Sequence, residues 1–179
     1  MNKKLPDFAI ETKPLLHGWN SYVLPLDVPE ECFGVFRPMI KLWRSKFNNK
    51  NTGAIALPTW RSFSFQEFKG WHKLVCLSEV DEKNCIPKLR IVPTGVVTIL
   101  KTDHTGHTLD KMVNVATKSE ISDHFGKLMK GPYIGLTAGS QPIGNGKTQW
   151  FESLELPLTL NGSKTEQFIH AICVGHEKS

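Results

Sequence analysis

Lys88–Leu109 reads KLRIVPTGVVTILKTDHTGHTL, and this stretch sets the reading of the chain. From Leu89 to Leu100 apolar and β-branched residues dominate, with Thr at intervals, a composition suited to a pleated sheet. One long strand over Lys88–Leu100 is the expectation. Lys101-Thr-Asp-His-Thr-Gly106 then stops it, because Asp and Gly supply turn chemistry and tolerate positive φ. A helical turn or two on Leu109, Met112 and Val113 follows.

Working outward, Leu74-Val-Cys-Leu-Ser-Glu-Val80 is a first strand, and Asp81-Glu-Lys-Asn84 turns it into the second in hairpin order. Downstream, Ser119–Met129 is a helix with Ile121, Phe125, Leu128 and Met129 as its apolar positions, ended by Gly131-Pro132. Three strands close the chain: Pro132–Gln141, Gln149–Leu160 and Gln167–Val174. Gly144-Asn-Gly146 and Asn161-Gly162 mark the turns between them. The last strand is an almost continuous apolar run, which suits a central position buried on both faces. The class is α+β: a five-stranded antiparallel sheet with the helical middle packed on one face.

Ahead of the sheet, residues 1–26 carry Pro6, Pro14 and Pro25 and read as an irregular leader with a short extended segment at Ser21–Leu24. Asp27-Val-Pro-Glu30 then has the form of a helix start. Phe33, Phe36, Ile40, Trp43 and Phe47 make one apolar face of a helix running to about Lys46, kinked at Pro38. The opposite face carries Arg37, Lys41, Arg44 and Lys46. Such a helix is either docked on its own domain with a solvated charged face, or used as a dimer or phosphate-binding surface. The segment Pro58–Trp71 is rich in aromatics that read as core, and Ser64-Phe-Gln-Glu67 fits a capping box. Residues 1–50 are thus a leader plus amphipathic helix, and residues 51–179 the sheet domain.

The 179 residues are 40% hydrophobic and 22% charged, which is ordinary for one globular domain and excludes a disordered or fibrous chain. The net charge of +5 is spread without a basic run, so a solvated basic surface is favoured over a nucleic-acid partner. Cys32, Cys76, Cys85 and Cys173 include no CxxC pair, and reduced thiols are expected. The N-terminus shows no signal peptide and no stretch reads as a membrane span, so the expected location is cytoplasmic.

Local catalytic signatures are lacking: there is no GxSxG elbow, HExxH or calcium loop. Gly144-Asn-Gly-Lys-Thr148 fails as a phosphate loop, because Gln141 stands where a Gly is required and strand-like residues follow. His104 and His107 beside Asp103 could share a metal but are in a turn, and no metal is assigned to them. His170 shares strand parity with Phe168, Ile172 and Val174, so its imidazole needs a hydrogen-bond partner or faces a pocket. Tyr133 and Trp150, at strand starts, and Met112, Phe125 and Met129, from the helical side, are further candidates for a pocket wall.

In this order the chain resembles a PAS domain, nearest to bacterial PAS-like proteins with a helix ahead of the sheet. The resemblance is carried by Trp43-Arg44, Pro58-Thr-Trp-Arg61 leading into Phe63–Phe68, Lys88–Gly95, Asp103-His-Thr-Gly106-His-Thr-Leu109, and Leu154-Glu-Leu-Pro-Leu158 ahead of Asn161-Gly162. It implies a small pocket under the helical middle and a sensory or regulatory module. Such a module binds a small molecule or contacts a signalling partner and dimerises through the N-terminal helix. It does not imply haem or flavin, since the helical middle has no cysteine and only His124 stands in its clearer helix; the ligand is unknown. PAS domains commonly sit beside an output module, and the chain runs only a few residues past its last strand. The expectation is a non-catalytic sensor acting as a homodimer, with no membrane partner. A nucleic-acid-associated protein using Arg37, Lys41, Arg44 and Lys46, and a small enzyme with a buried pocket, are the alternatives.

Overall fold

The last strand of the chain does not end the sheet but fills its middle. In this computed structural model, which describes residues 6–15, 18–47, 56–111, 117–144, 147–161 and 164–175, the strands are β1 (Glu11–Pro14), β2 (Asn20–Leu24), β3 (Val75–Val80), β4 (Pro87–Ile91), β5 (Ile134–Gly144), β6 (Lys147–Leu158) and β7 (Gln167–Gly175). They form one sheet in the order β1-β2-β5-β6-β7-β3-β4, and every pair is antiparallel. The helices are α1 (Arg37–Arg44), α2 (Thr94–Leu100) and α3 (Lys118–Lys130). The hairpin, helical middle and three-strand meander stand as expected, and β7 lies between β6 and β3 with its first five residues buried.

The sheet has seven strands rather than the expected five. The segment read as an irregular leader supplies β1 and β2, which pair as a hairpin and extend the sheet along β5. Ser21–Leu24 is extended as expected; Glu11–Pro14 is too short and too polar to show period-two patterning. Helices cover both faces rather than one. The N-terminal segment packs on one face and α2 and α3 on the other, so the division at residue 50 is not a break in packing.

The first face carries Leu154, Leu156 and Leu158 from β6 and Ile169 and Ala171 from β7. Phe33, Phe36, Ile40 and Trp43 are buried against that face, and Phe47 packs at its margin with its ring edge-on to Trp43. The expected dimer or partner surface is therefore spent on the chain's own core. Trp43 is 0% exposed, and its Nε1–H donates to the Pro157 carbonyl at 3.0 Å. The helix itself differs from expectation. Glu30–Phe36 is a 3-10 segment broken at Gly34, whose φ of 54° favours glycine, and α1 starts afresh with Pro38 in its first turn. Pro38 thus begins a helix instead of kinking one.

The long strand expected over Lys88–Leu100 is two elements. It stops at Ile91, and Pro93 stands directly before α2 in an extended conformation. Proline has no N–H for a sheet ladder, and its fixed φ suits a helix start. Val96 is buried against Cys76 and Leu89, so packing overrides the β preference of this run. Gly95 permits the approach: a Cβ there would sit 2.3 Å from the Lys73 carbonyl oxygen. The Asp103–Gly106 turn is a turn as expected, and it lies along β4. Leu89 donates its N–H to the His107 carbonyl at 2.9 Å, and Gly106 donates its own to Leu89 at 2.8 Å.

Trp43→Ala is expected to lower unfolding stability by about 4 kcal/mol, the usual cost of deleting a fully buried large aromatic. Urea denaturation measures it. A residue serving as an exposed partner surface would leave the stability of the isolated chain nearly unchanged.

Candidate functional site

The second face of the sheet is not filled by side chains throughout. Strand alternation puts Phe151, Ser153 and Glu155 of β6 on this face, with His170 and Ile172 of β7 beside them. Thr137, Cys76 and Leu89 complete the floor from β5, β3 and β4. α2 covers it with Val96, Ile99 and Leu100, and α3 with Ile121, His124 and Phe125. Leu15 and Trp19 close one side, the Trp19 ring stacked on Phe151 with centroids 6.4 Å apart. Between floor and cover lies about 930 Å³ of space free of atoms, counted out to its opening to solvent.

The wall is mainly apolar, with a polar cluster at Glu155. Glu155 is 2% exposed and His124 is 7% exposed. Glu155 Oε1 accepts from the Thr137 hydroxyl at 3.1 Å. Glu155 Oε2 lies 3.9 Å from His124 Nε2, beyond hydrogen-bond reach, and neither atom has a hydrogen-bond partner among the described residues. His124 falls on the buried face of α3 because it follows Ile121 by three residues and precedes Leu128 by four.

His170 is 3% exposed and its Nε2 shares a 2.7 Å hydrogen bond with the Ser78 hydroxyl. Burial is the main cause that pushes its pKa down to about 4; Glu155 opposes this and His124 adds to it. The ring is neutral at pH 7. Ser78 is fully buried and does not line the cavity, so this serine–histidine pair satisfies an interior imidazole and does not present a nucleophile. Burial also pushes the Cys76 thiol up to about 12, which keeps it protonated. All four cysteines are free.

Of the six candidate pocket residues, Phe125 and His170 line the cavity. Met129 and Tyr133 pack beside it against the Ile121–Phe125–Leu128 cluster. Trp150 is on the other strand parity from Phe151 and is not in the wall. Met112 lies outside the described residues. Glu155 and Trp19 were not among the sequence candidates, and His124 was named only as the histidine of the clearer helix. The spacing of His124 from Ile121 and Leu128 was a usable signal. Glu155 alternates with leucines and so reads as the solvent side of a half-exposed strand.

The basic stripe expected on α1 is engaged within the chain. Arg37 and Lys41 pair with Glu30 at 3.0 and 3.1 Å, and Lys46 pairs with Glu67 at 2.5 Å. Arg44 donates to the carbonyls of Leu26 and Val28, each at 2.6 Å. His104 and His107 face each other with centroids 5.9 Å apart, and no group of metal-ligating side chains occurs among the described residues. No helix among those residues is long and apolar enough to cross a membrane.

A hairpin, a helical middle and a meander whose last strand returns to the first, with a cavity beneath the helices, define an α+β protein built on one antiparallel sheet. No family model matches the sequence, and no curated protein matches it. Among solved structures the chain is similar to an RNA-binding Light-Oxygen-Voltage receptor, with a TM-score of 0.49 and 10% identity. The match covers 91% of this chain and 39% of that one. The likeness is distant, and the class stated here rests on the chain's own topology.

Because the folded pKa of His170 lies below its ordinary value, the unfolded chain binds the proton more readily. The stability due to the neutral ring is complete above pH 6.5 and declines as pH falls toward 4. The loss is expected to reach about 3 kcal/mol. Urea midpoints measured across that window check this, and His170→Gln is expected to flatten the decline.

Proposed function

We propose that this chain is a sensory or regulatory module that binds a small, largely apolar molecule between its sheet and the α2–α3 cover. The supporting observation is the cavity beneath α2 and α3, walled by Leu89, Val96, Ile99, Phe125 and Ile172. Concave, mostly apolar sites with a few polar groups are the usual form of a small-molecule site. The reading is non-catalytic: Cys76 is held protonated, and Ser78 lies outside the wall.

Signalling requires that the ligand prefer one arrangement of the protein over another. The elements in contact with an occupant are α2 and α3, not the N-terminal helix, which packs on the opposite face of the sheet. In this reading the response begins in the helical cover, passes to a signalling protein, and leaves α1 as a fixed part of the core. Dimerisation, if it accompanies the response, uses a surface other than the buried aromatic face.

Native and denaturing mass spectra of the purified protein test for a retained molecule, and binding of small fluorinated aromatics followed by ¹⁹F NMR tests an empty site. Ser153→Phe places a ring on the cavity floor. It is expected to weaken probe binding by at least about tenfold, or 1.4 kcal/mol. Equal binding by this variant and the unaltered protein would place the probes elsewhere and refute the reading.

A further inference from the structure

The cavity has a polarity that its apolar wall does not require. Glu155 lies within the central strands, with Gly135 opposite on β5 and His170 opposite on β7. A Cβ at position 135 would come within 2.6 Å of Glu155 Oε2, so the carboxylate occupies space that any other residue there would fill. Thr137 donates to one carboxylate oxygen and fixes its orientation. Among the described residues the other oxygen has no hydrogen-bond partner, and His124 Nε2 stands 3.9 Å from it. His170 does not relieve the site through Nε2, which is engaged by Ser78.

A buried carboxylate oxygen without a donor is costly, and a charged N–H group is the partner that restores most of the loss. Among the described residues the wall contains no Lys or Arg. Its acidic members are Glu120, Glu152 and Glu155. Glu152 has the strand parity of the leucines facing α1, and one oxygen of Glu120 already accepts from the Thr117 N–H at 2.7 Å. Glu155 is therefore the buried anion that an occupant would meet. An anionic ligand would be repelled there, and a purely apolar one would leave the oxygen unpaired.

We propose that the cavity takes a cationic amphiphile, a small amine or amidine on an apolar body, with its N–H group on Glu155 Oε2 and its body against the apolar side chains of α2 and β4. This rests on the cavity reading above and adds the class of ligand.

Three matched probes decide it: 4-fluorophenethylamine, 2-(4-fluorophenyl)ethanol and 3-(4-fluorophenyl)propanoate, titrated against the full chain at neutral pH by ¹⁹F NMR. The amine is expected to bind at least about tenfold more tightly than the alcohol, with the carboxylate weakest. Glu155→Gln keeps the side-chain shape and the acceptor for Thr137, and it is expected to abolish the amine's advantage while leaving the alcohol unchanged. If that variant does not fold, the ranking of the probes on the unaltered protein decides alone. Equal binding of all three, lost in Ser153→Phe, would overturn the cationic proposal and leave the cavity reading standing. Absence of binding by all three would overturn both.

Discussion

The pairing of β7 with β3 is the constraint on which the remaining structure depends. These strands lie far apart in sequence, and their register sets Cys76 against His170 and Ser78 against Phe168. Side chains alternate along a strand, so a slip of one residue would exchange the two faces of β7. Phe168 and His170 would move among the leucines facing α1, and Ile169 and Ala171 would move under α3. Because both faces are buried, neither exchange could be absorbed by solvent. The Ser78–His170 hydrogen bond reinforces the register, since the imidazole finds that hydroxyl only in this pairing.

The two faces that this register separates are built differently. Toward α1, Leu154, Leu156, Leu158 and Trp43 are fully buried, and the Trp43 N–H is paired with the Pro157 carbonyl. Toward α2 and α3, packing is incomplete, and a carboxylate and an imidazole point inward. Native interiors are close-packed, and an interior polar atom ordinarily has a partner. The second face departs from both habits in one region, which is the physical basis for treating it as the site.

Much of this architecture was legible in the residues. The 3.6-residue period of α3 and the apolar run of β7 lead directly to the helical cover and the central strand, while the Gly144–Gly146 and Asn161-Gly162 turns lie partly outside the described residues. The failures have particular causes. Thr94–Leu100 has strand composition, but Pro93 and the seat on Cys76 and Leu89 make it a helix. β1 carries only four residues and no alternating apolar pattern, so nothing local announces it. The Phe33–Trp43 aromatics show that a face is apolar, not what covers it, and the answer lies in leucines more than a hundred residues away. Glu155 was passed over because period-two patterning assumes that one side of a strand meets water. That assumption fails once helices cover both faces.

The N-terminal hairpin also changes where the sheet stops. Without it, β5 would present an eleven-residue margin of unpaired backbone groups, the kind of template that recruits strands from other molecules. With it, β2 pairs along Ile134–Ala138, and the Trp19 indole N–H donates to the Ser140 carbonyl just past the hairpin's reach. The outermost strand is then only four residues long and ends in Pro14, which has no N–H to offer an incoming chain. The segment that reads as an irregular leader thus covers part of an edge that would otherwise offer its backbone to incoming strands.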